Sequence, residues 1–313
     1  MGGLPNRLEA EAAAIWEGIW FEEAHHSTAI EGNTLVLRQV EALLAEGRTV
    51  GQKPLSEYME VQGYAKAAAW VYDHGVEDAE WTSGEVLTLA EIRHVHSLAM
   101  GPVWDVAPHP DASPEEGPGA FRKHDIQPFP GGMIPPPWTD VPALVGDWLK
   151  QANTLRGGDL EFPLALARLH CGFEQIHPFL DGNGRAGRLI LNLMLVRLGY
   201  PPVIIYKRQR LRYLRALRRA DQGDTGALGE LLARALLDNL NRFIIPAVAG
   251  PARLVPLAAL ATSGISTNAL RAAANRGRLQ ATRGSDGQWR STIRWRDEYL
   301  ATRYTRGSME SHI

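Results

Sequence analysis

Twelve residues, from His177 to Arg188, bring together side chains that could act on a phosphate. The segment reads His-Pro-Phe-Leu-Asp-Gly-Asn-Gly-Arg-Ala-Gly-Arg, and an apolar run from Leu189 to Leu198 follows it. A glycine-rich turn that opens into a helix binds anions, because free backbone N–H groups point outward and the helix dipole favours negative charge. The sequence therefore predicts a phosphate-binding loop.

The charged side chains of this loop indicate what happens to the phosphate. Arg185 and Arg188 carry forked donors that suit phosphate oxygens. Asp181 supplies hard oxygen atoms of the kind that Mg²⁺ prefers. His177 can accept a proton near neutral pH. A structural turn with surface arginines requires none of these together, so we interpret the loop as a site that transfers part of a nucleotide.

The same stretch resembles the signature of the Fic family, His-x-Phe-x-Asp/Glu-Gly-Asn-Gly-Arg-x-x-Arg, and every defined position is present. The resemblance covers about residues 10–245. It implies a mainly α fold, a helical core with a β-hairpin flap, and a protein adenylyltransferase. Such an enzyme moves AMP from ATP to a Ser, Thr or Tyr hydroxyl of a protein target and releases pyrophosphate.

The resemblance also implies a role for each residue of the loop. His177 would be the general base, Asp181 would hold Mg²⁺, and Phe179 would anchor the loop by packing. The expected phosphate contacts come from the backbone and side chains of Gly182, Asn183, Gly184, Arg185 and Arg188. UMP or GMP donors stay open at this stage, as does removal of AMP from a modified target.

A second motif lies about 150 residues upstream, where a predicted helix ends at Gly32. Ser27-Thr-Ala-Ile-Glu31-Gly32 resembles the inhibitory motif of the Fic family, Ser/Thr-x-x-x-Glu-Gly/Asn. A carboxylate that pairs with Arg188 would occupy the partner of the γ-phosphate and would repel the phosphate itself. We therefore expect Glu31 to make the resting enzyme weak.

Two further regions match family positions that touch the nucleotide. Residues 119–137 correspond to the flap that pins a target segment by strand-like pairing, with nucleotide contacts at Gly131, Gly132 and Met133. Tyr213 and Leu214 occupy the place where family members line the adenine. A plain Pro-rich connector and simple core packing of Tyr213 are the alternatives.

Helical periodicity predicts the elements that must position these residues. We expect helices over residues 8–30, 34–45, 57–72, 82–100, 141–153, 163–176, 189–198, 209–222 and 228–243. The expected domains are N-terminal helices with the inhibitory helix (1–100), a core with flap and catalytic loop (101–246), and a C-terminal module (253–304).

The C-terminal module differs in charge from the rest of the chain. Residues 251–313 contain ten Arg and four acidic residues, although the whole chain has a net charge of −2. A short helix (254–261), a helix from 267 to 276, two strands and a final helix resemble a winged helix-turn-helix of the excisionase type. That resemblance would turn Asn268, Arg271 and Asn275 toward a DNA groove. A basic appendage that binds the protein target or another subunit is the alternative.

Composition limits the other possibilities. The single cysteine, Cys171, forms no intrachain disulfide, which fits a reducing cytosol, and we expect a cytoplasmic protein. We find no signal peptide and no apolar run that would span a membrane, so no membrane partner is expected. The expected partners are a protein with a hydroxyl side chain and, through the C-terminal module, DNA; a homodimer stays open. The rival hypotheses are a transcription regulator whose nucleotide site only senses its ligand, and a kinase.

Overall fold

The computed structural model describes residues 7–76, 84–128, 132–158, 160–245, 253–284 and 286–303, with side chains from residue 19 onward. Residues 16–236 form one compact unit, and residues 237–303 form a second unit together with the first turns of the N-terminal helix. The described residues between 16 and 100, which we predicted to form a separate N-terminal part, lie in the same unit as the loop at His177.

Nine helices of at least ten residues lie in the described part of the first unit or extend into it. They are α1 (Arg7–Ile30), α2 (Leu37–Glu46), α3 (Leu55–Val76), α4 (Leu89–Val106), α5 (Val141–Ala152), α6 (Phe162–Ile176), α7 (Asn183–Arg197), α8 (Arg210–Asp221) and α9 (Gly226–Asn239). Most bounds agree with the predicted ranges to within a few residues, as expected for strongly periodic segments.

The α7 helix is the centre of this unit, as its apolar sequence predicted. Its residues from Arg185 to Val196 are buried on every side, and it packs against α3, α4 and α6. A helix that is apolar all round must be enclosed by others. The loop at its N-terminus is consequently attached to a helix that the rest of the unit encloses.

The start of α4 differs from the prediction. We expected Thr82 or Ser83 as its cap, and both lie outside the described residues. The helix begins at Leu89 because Thr88 and Glu91 form a capping box: Thr88 Oγ1 accepts from the Glu91 N–H, and the Glu91 carboxylate accepts from the Thr88 N–H. The pattern Thr-x-x-Glu was visible in the sequence.

The predicted β-hairpin flap is not formed by the described residues of the segment, 119–128 and 132–137, which contain no strand. Side-chain bonds replace a strand ladder. Arg122 is buried, and its guanidinium donates to the carbonyl oxygens of His177, His124 and Pro136. Proline has no N–H to donate to a ladder, and Pro128 and Pro135–Pro137 occur here. The described residues of the flap therefore form an irregular loop around one arginine.

The second unit has its own small core. Its elements are β1 (Val255–Pro256), α10 (Thr267–Asn275), β2 (Thr282–Arg283), β3 (Trp289–Ser291) and α11 (Ile293–Thr302). The three strands form an antiparallel sheet in the order β1-β3-β2. The expected helix over 254–261 is wrong, because β1 takes its first residues and a short 3₁₀ turn over 257–260 takes the rest.

Among the described residues, no helix combines the length and the apolar character that crossing a membrane requires.

Candidate active site

The loop between α6 and α7 has a fixed backbone shape. His177 ends α6 in the left-handed region, with φ of 49°, and Gly182 precedes α7 with φ of 78°. A Cβ at Gly182 would lie 2.5 Å from Met100 Sδ, so this position requires glycine for its conformation and for its space. The turn of the chain at this point depends on both residues.

The side chain of Asn183 closes the loop. Its Oδ1 accepts from the Phe179 N–H at 2.9 Å, and its Nδ2 donates to the Phe179 carbonyl oxygen at 2.8 Å. Asn183 is 2% exposed, so both bonds are shielded from water. We expected this amide to contact a phosphate. In the structure it bonds to the backbone of Phe179 instead and so stabilises the loop.

The imidazole of His177 is neutral and oriented. Its Nδ1 lies 3.1 Å from the Glu174 carbonyl oxygen, which can only accept, so Nδ1 carries the proton and Nε2 has the lone pair. Burial, together with the nearby charge of Arg122, lowers the His177 pKa to about 4. The side chain lines the cavity described below. It can therefore accept a proton at Nε2 at neutral pH.

Two residues for which we predicted no role, His96 and Arg122, support this loop. The His96 ring stacks on Phe179 with centroids 3.7 Å apart, and His96 Nε2 lies 2.9 Å from the Asp181 carbonyl oxygen. His96 Nδ1 accepts from the Gly119 N–H, so Nε2 is the donor to Asp181. The backbone N–H of Arg122 donates to the Pro178 carbonyl oxygen at 2.9 Å. No local pattern in the sequence indicates either contact.

The N-terminus of α7 opens into the cavity. The first intrahelical bond that closes this turn is donated by the Ala186 N–H to the Gly182 carbonyl oxygen, and no side chain caps the helix. The backbone N–H groups of Asn183, Gly184 and Arg185 precede it in the first turn, where a helix has no internal acceptors. This end of the helix is therefore suited to bind an anion.

The two arginines have different partners. The buried Arg185 donates from Nη2 to the Asp181 carboxylate at 3.2 Å, while its Nη1 lies 3.8 Å from Glu60 Oε1. Arg185 Nε and Nη1 have no hydrogen-bond partner among the described residues. Buried N–H groups without acceptors are costly to leave unbonded.

Arg188 is held by α1. Its Nε donates to Ser27 Oγ at 2.7 Å, and its Nη2 donates to the Ser27 carbonyl oxygen at 3.1 Å and to Glu31 Oε1 at 2.7 Å. The Glu31 carboxylate also covers Gly184, where a Cβ would lie 2.5 Å from the same Oε1. The two motifs that the sequence places far apart thus meet at the anion-binding end of α7.

Asp181 has the character of a metal ligand. Burial acts to raise the Asp181 pKa, but the Arg185 charge and the Gly182 N–H outweigh it, so the pKa lies below its ordinary value. The carboxylate is 47% exposed and lines the cavity. One ionised carboxylate that faces a phosphate site fits Mg²⁺, which takes its other ligands from phosphates and water. No group of three or more His, Cys, Asp or Glu residues suited to a metal occurs in the described ranges.

His177, Asp181, both arginines and Glu31 line one cavity of about 930 Å³. The wall of this cavity also contains the Tyr213 ring and the side chains of Leu214 and Leu217 on α8. Tyr213 is buried, and its hydroxyl lies 2.7 Å from His170 Nε2. Both predicted residues on α8 therefore reach the cavity, and this wall is the apolar one.

The flap reaches the cavity through other residues than those predicted. Residues 124–128 line it, whereas Gly132 and Met133 are not among the lining residues. Gly131 lies outside the described residues. The shift follows from the irregular shape of the loop, because Arg122 fixes the chain on both sides of this stretch.

The fold and the site together define a helical domain that presents a helix N-terminus, two arginines and a neutral histidine to one cavity. Residues 86–195 match the model of the Fic/DOC family, a range that includes His177 and the whole phosphate loop. Of the known proteins, the protein adenylyltransferase Fic of Drosophila melanogaster is 34% identical over 225 residues, which cover 72% of this chain and 42% of that protein. The corresponding protein of Drosophila erecta is 35% identical over the same length.

Solved structures agree in fold. Fic-1 from C. elegans superposes with a TM-score of 0.61 at 26% identity, over 78% of this chain and 66% of that one. A Fic domain containing signaling protein from Bacteroides thetaiotaomicron superposes with a TM-score of 0.64 at 22% identity, over 76% of this chain and 90% of that one. The chain spans about two fifths of the length of the curated relatives it matches.

Proposed function

We propose that this protein is an autoinhibited protein adenylyltransferase, which transfers AMP from ATP to a hydroxyl group of a protein. The observation that carries the proposal is the meeting of three features in one cavity. A neutral His177 faces it, the open N-terminus of α7 borders it, and Arg185 and Arg188 lie along one side. The relatives named protein adenylyltransferase Fic support the same reaction.

The reaction follows from these groups. The hydroxyl oxygen of the target attacks the α-phosphorus of ATP, and His177 Nε2 takes the hydroxyl proton. The bond from the α-phosphorus to the oxygen that bridges to the β-phosphate breaks, and pyrophosphate leaves with the electron pair. The N–H groups at the start of α7 stabilise the negative charge on the α-phosphate oxygens during transfer.

The charged side chains bind the rest of the nucleotide. Arg185 and Arg188 hold the β- and γ-phosphates and so keep the α-phosphate near His177. Mg²⁺, when bound by Asp181, neutralises phosphate charge and favours departure of pyrophosphate. The Asn183 and His96 side chains preserve the loop geometry through their bonds to Phe179 and Asp181.

Autoinhibition follows from the partner of Arg188. In the resting protein, Glu31 takes the Nη2 donor that a terminal phosphate needs and brings a negative charge to Gly184. Productive binding of ATP therefore requires withdrawal of Glu31. A carboxylate in this place can also orient water, so the reverse reaction, removal of AMP from the modified target, belongs to the same proposal.

The test uses the Glu31→Gly protein with Mg²⁺ and ATP labelled at either the α- or the γ-phosphate. The proposal expects label from the α position on protein and none from the γ position. Label from the γ position alone would make the protein a kinase and would contradict the proposal. The Glu31→Gly/His177→Ala double variant is the matched control, and it should carry no label.

We propose DNA binding by the second unit as an additional function, because one observation favours it. Asn268, Arg271 and Asn275 lie at spacings of three and four on α10, and all three are exposed. The Arg-rich hairpin β2–β3 follows this helix, as in a winged helix-turn-helix. Trp289 Nε1 donates to Asn275 Oδ1 at 2.8 Å, which joins the hairpin to the helix.

An electrophoretic shift of the DNA upstream of its own coding sequence would test this function. Binding that weakens on Arg271→Ala would support it, with Arg253→Ala as the control in the same unit. Equal binding of wild type and Arg271→Ala would contradict the assignment of α10 as the reading helix.

A further inference from the structure

Glu174 is a buried carboxyl in the wall of the cavity that none of the steps above uses. It lies on the last turn of α6, three residues before His177, and is 9% exposed. Its Oε1 is completely buried and has no hydrogen-bond partner among the described residues. A buried polar atom without a partner is costly, and such atoms in native proteins call for an explanation.

The neighbouring helix leaves room for this carboxyl. A Cβ at Gly187 of α7 would lie 2.6 Å from Glu174 Oε1 and 3.2 Å from the Phe173 ring. A larger residue at 187 would therefore displace the Glu174 side chain. The contact between α6 and α7 therefore fixes the position of the Glu174 carboxyl, and the side chain does not extend into open solvent.

Burial has a larger influence on the pKa of the Glu174 carboxyl than the charged groups around it. Burial raises its pKa to about 7; the Arg188 charge on α7 acts against this, while Glu31 on α1 and Asp221 on α8 act with it. The neighbouring Tyr213 is a neutral phenol at neutral pH, because burial raises its pKa as well. A carboxyl in this range can accept a hydrogen bond or donate one.

We propose that Glu174 determines specificity for the nucleotide by forming a hydrogen bond with a hydroxyl or amino group of its nucleoside part. This inference rests on the proposed function. A carboxyl repels phosphate oxygens when ionised, so the phosphates belong with Arg188 and the α7 N-terminus. The Glu174 carboxyl contacts the cavity that Tyr213 and Leu214 line with apolar surface, where a base and its sugar are the groups that fit.

The chemistry of the partner follows from that of the carboxyl. Two kinds of donor occur on an adenine nucleoside, the ribose hydroxyls and the amino group of the base. Either can bond to the carboxyl oxygen of Glu174 that borders the cavity, whereas Oε1 lies against Gly187 and is closed to a ligand. A site that hydrogen-bonds such a group discriminates strongly against an analogue that lacks it, because the protein atom is then left unpaired.

The test measures dissociation constants by calorimetry in the Glu31→Gly background. The ligands are ATP, 2′-deoxy-ATP, 3′-deoxy-ATP and an ATP analogue that lacks the amino group of the base. The proteins are Glu31→Gly alone and the same protein with Glu174→Ala or Glu174→Gln. We expect Glu174→Ala to weaken ATP binding by roughly tenfold, the effect of losing one hydrogen bond of intermediate strength.

The comparison of dissociation constants between the ligands decides the outcome. The loss on Glu174→Ala should vanish for the one analogue that lacks the bonded group, and Glu174→Gln, which keeps a donor and an acceptor, should restore most of the affinity for ATP. An equal loss for every ligand, or no loss for any, would overturn the inference while leaving the proposed function standing. Failure of Glu31→Gly itself to bind any nucleotide would contradict the proposed function, and the inference with it.

Discussion

Arg188 Nη2 donates to the Glu31 carboxylate at 2.7 Å, although 157 positions separate the two residues in the chain. The arginine is 4% exposed and the carboxylate side chain is 40% exposed. Removal of a partner from a buried cation is costly unless another anion replaces it. In the proposed function the terminal phosphate of ATP is such an anion, so Glu31 and the nucleotide would compete for one guanidinium.

Under the proposed function, Ser27→Ala should raise the transfer of AMP in part. The change removes the 2.7 Å bond from Arg188 Nε to Ser27 Oγ and leaves the bonds to the Ser27 carbonyl oxygen and to Glu31. A bond from a charged donor contributes roughly 1.5–3 kcal/mol, so helix α1 should hold Arg188 less firmly. Transfer of AMP should rise to a level between those of wild type and Glu31→Gly.

The neighbouring Thr28→Ala variant is the control for Ser27→Ala. Thr28 Oγ1 donates to the Ala24 carbonyl oxygen within its own helix and makes no bond to Arg188. A similar rise in both variants would mean that general loosening of α1, and not the Arg188 contact, controls the activity.

His177 should remain neutral well below the pH at which histidine ordinarily takes a proton. Because burial lowers its pKa to about 4, the ring should titrate near pH 4 in the nucleotide-free protein. The neutral base form of His177 therefore dominates above that pH and is lost as the pH falls through it. NMR of the ring carbons, with His177→Ala to assign the signal, measures the midpoint directly. A midpoint near 6.5 would contradict the buried environment that the structure gives this residue.

Gly182→Ala should destabilise the protein more than Gly199→Ala. Both glycines have positive φ, of 78° and 80°, so both substitutions carry a conformational cost of about 1 kcal/mol. Only at Gly182 would the new Cβ collide with Met100, whereas nothing lies within 4 Å at Gly199. We expect the free energy of unfolding to fall by roughly 1–3 kcal/mol more for Gly182→Ala.

Urea denaturation of both glycine variants, monitored by circular dichroism, measures the difference. Equal midpoints would show that the collision with Met100 is relieved without cost. Loss of transfer activity by Gly182→Ala at urea concentrations where it stays folded would additionally tie the loop shape to function.

The sequence was sufficient to predict the features that local pattern encodes. The glycine-rich turn that opens into a helix, the central α7 helix and the pairing of Glu31 with Arg188 were expected, and the structure contains all three, whereas phosphate binding at the turn stays a prediction. The loop and the helix follow from glycine positions and apolar periodicity. The Glu31 pairing followed only from the resemblance to a known motif, because nothing local indicates a contact across 157 positions.

The remaining parts of the site depend on the tertiary fold. Arg122 and His96 support the loop through contacts with the backbone, for which no residue type or spacing is diagnostic. The resemblance implied a β-hairpin flap, but the described residues of this segment are organised by the buried Arg122. Glu174 was unremarkable in the sequence because burial, which gives it its unusual pKa, comes from helices packed around it.

The competition between Glu31 and the terminal phosphate is tested most directly by a double-mutant cycle on ATP affinity. Dissociation constants are measured for wild type, Glu31→Gly, Arg188→Ala and the double variant. We expect Glu31→Gly to improve affinity by roughly tenfold or more when Arg188 is present, and to change it little when Arg188 is absent. An equal improvement in both backgrounds would contradict the account, because Glu31 would then act without Arg188.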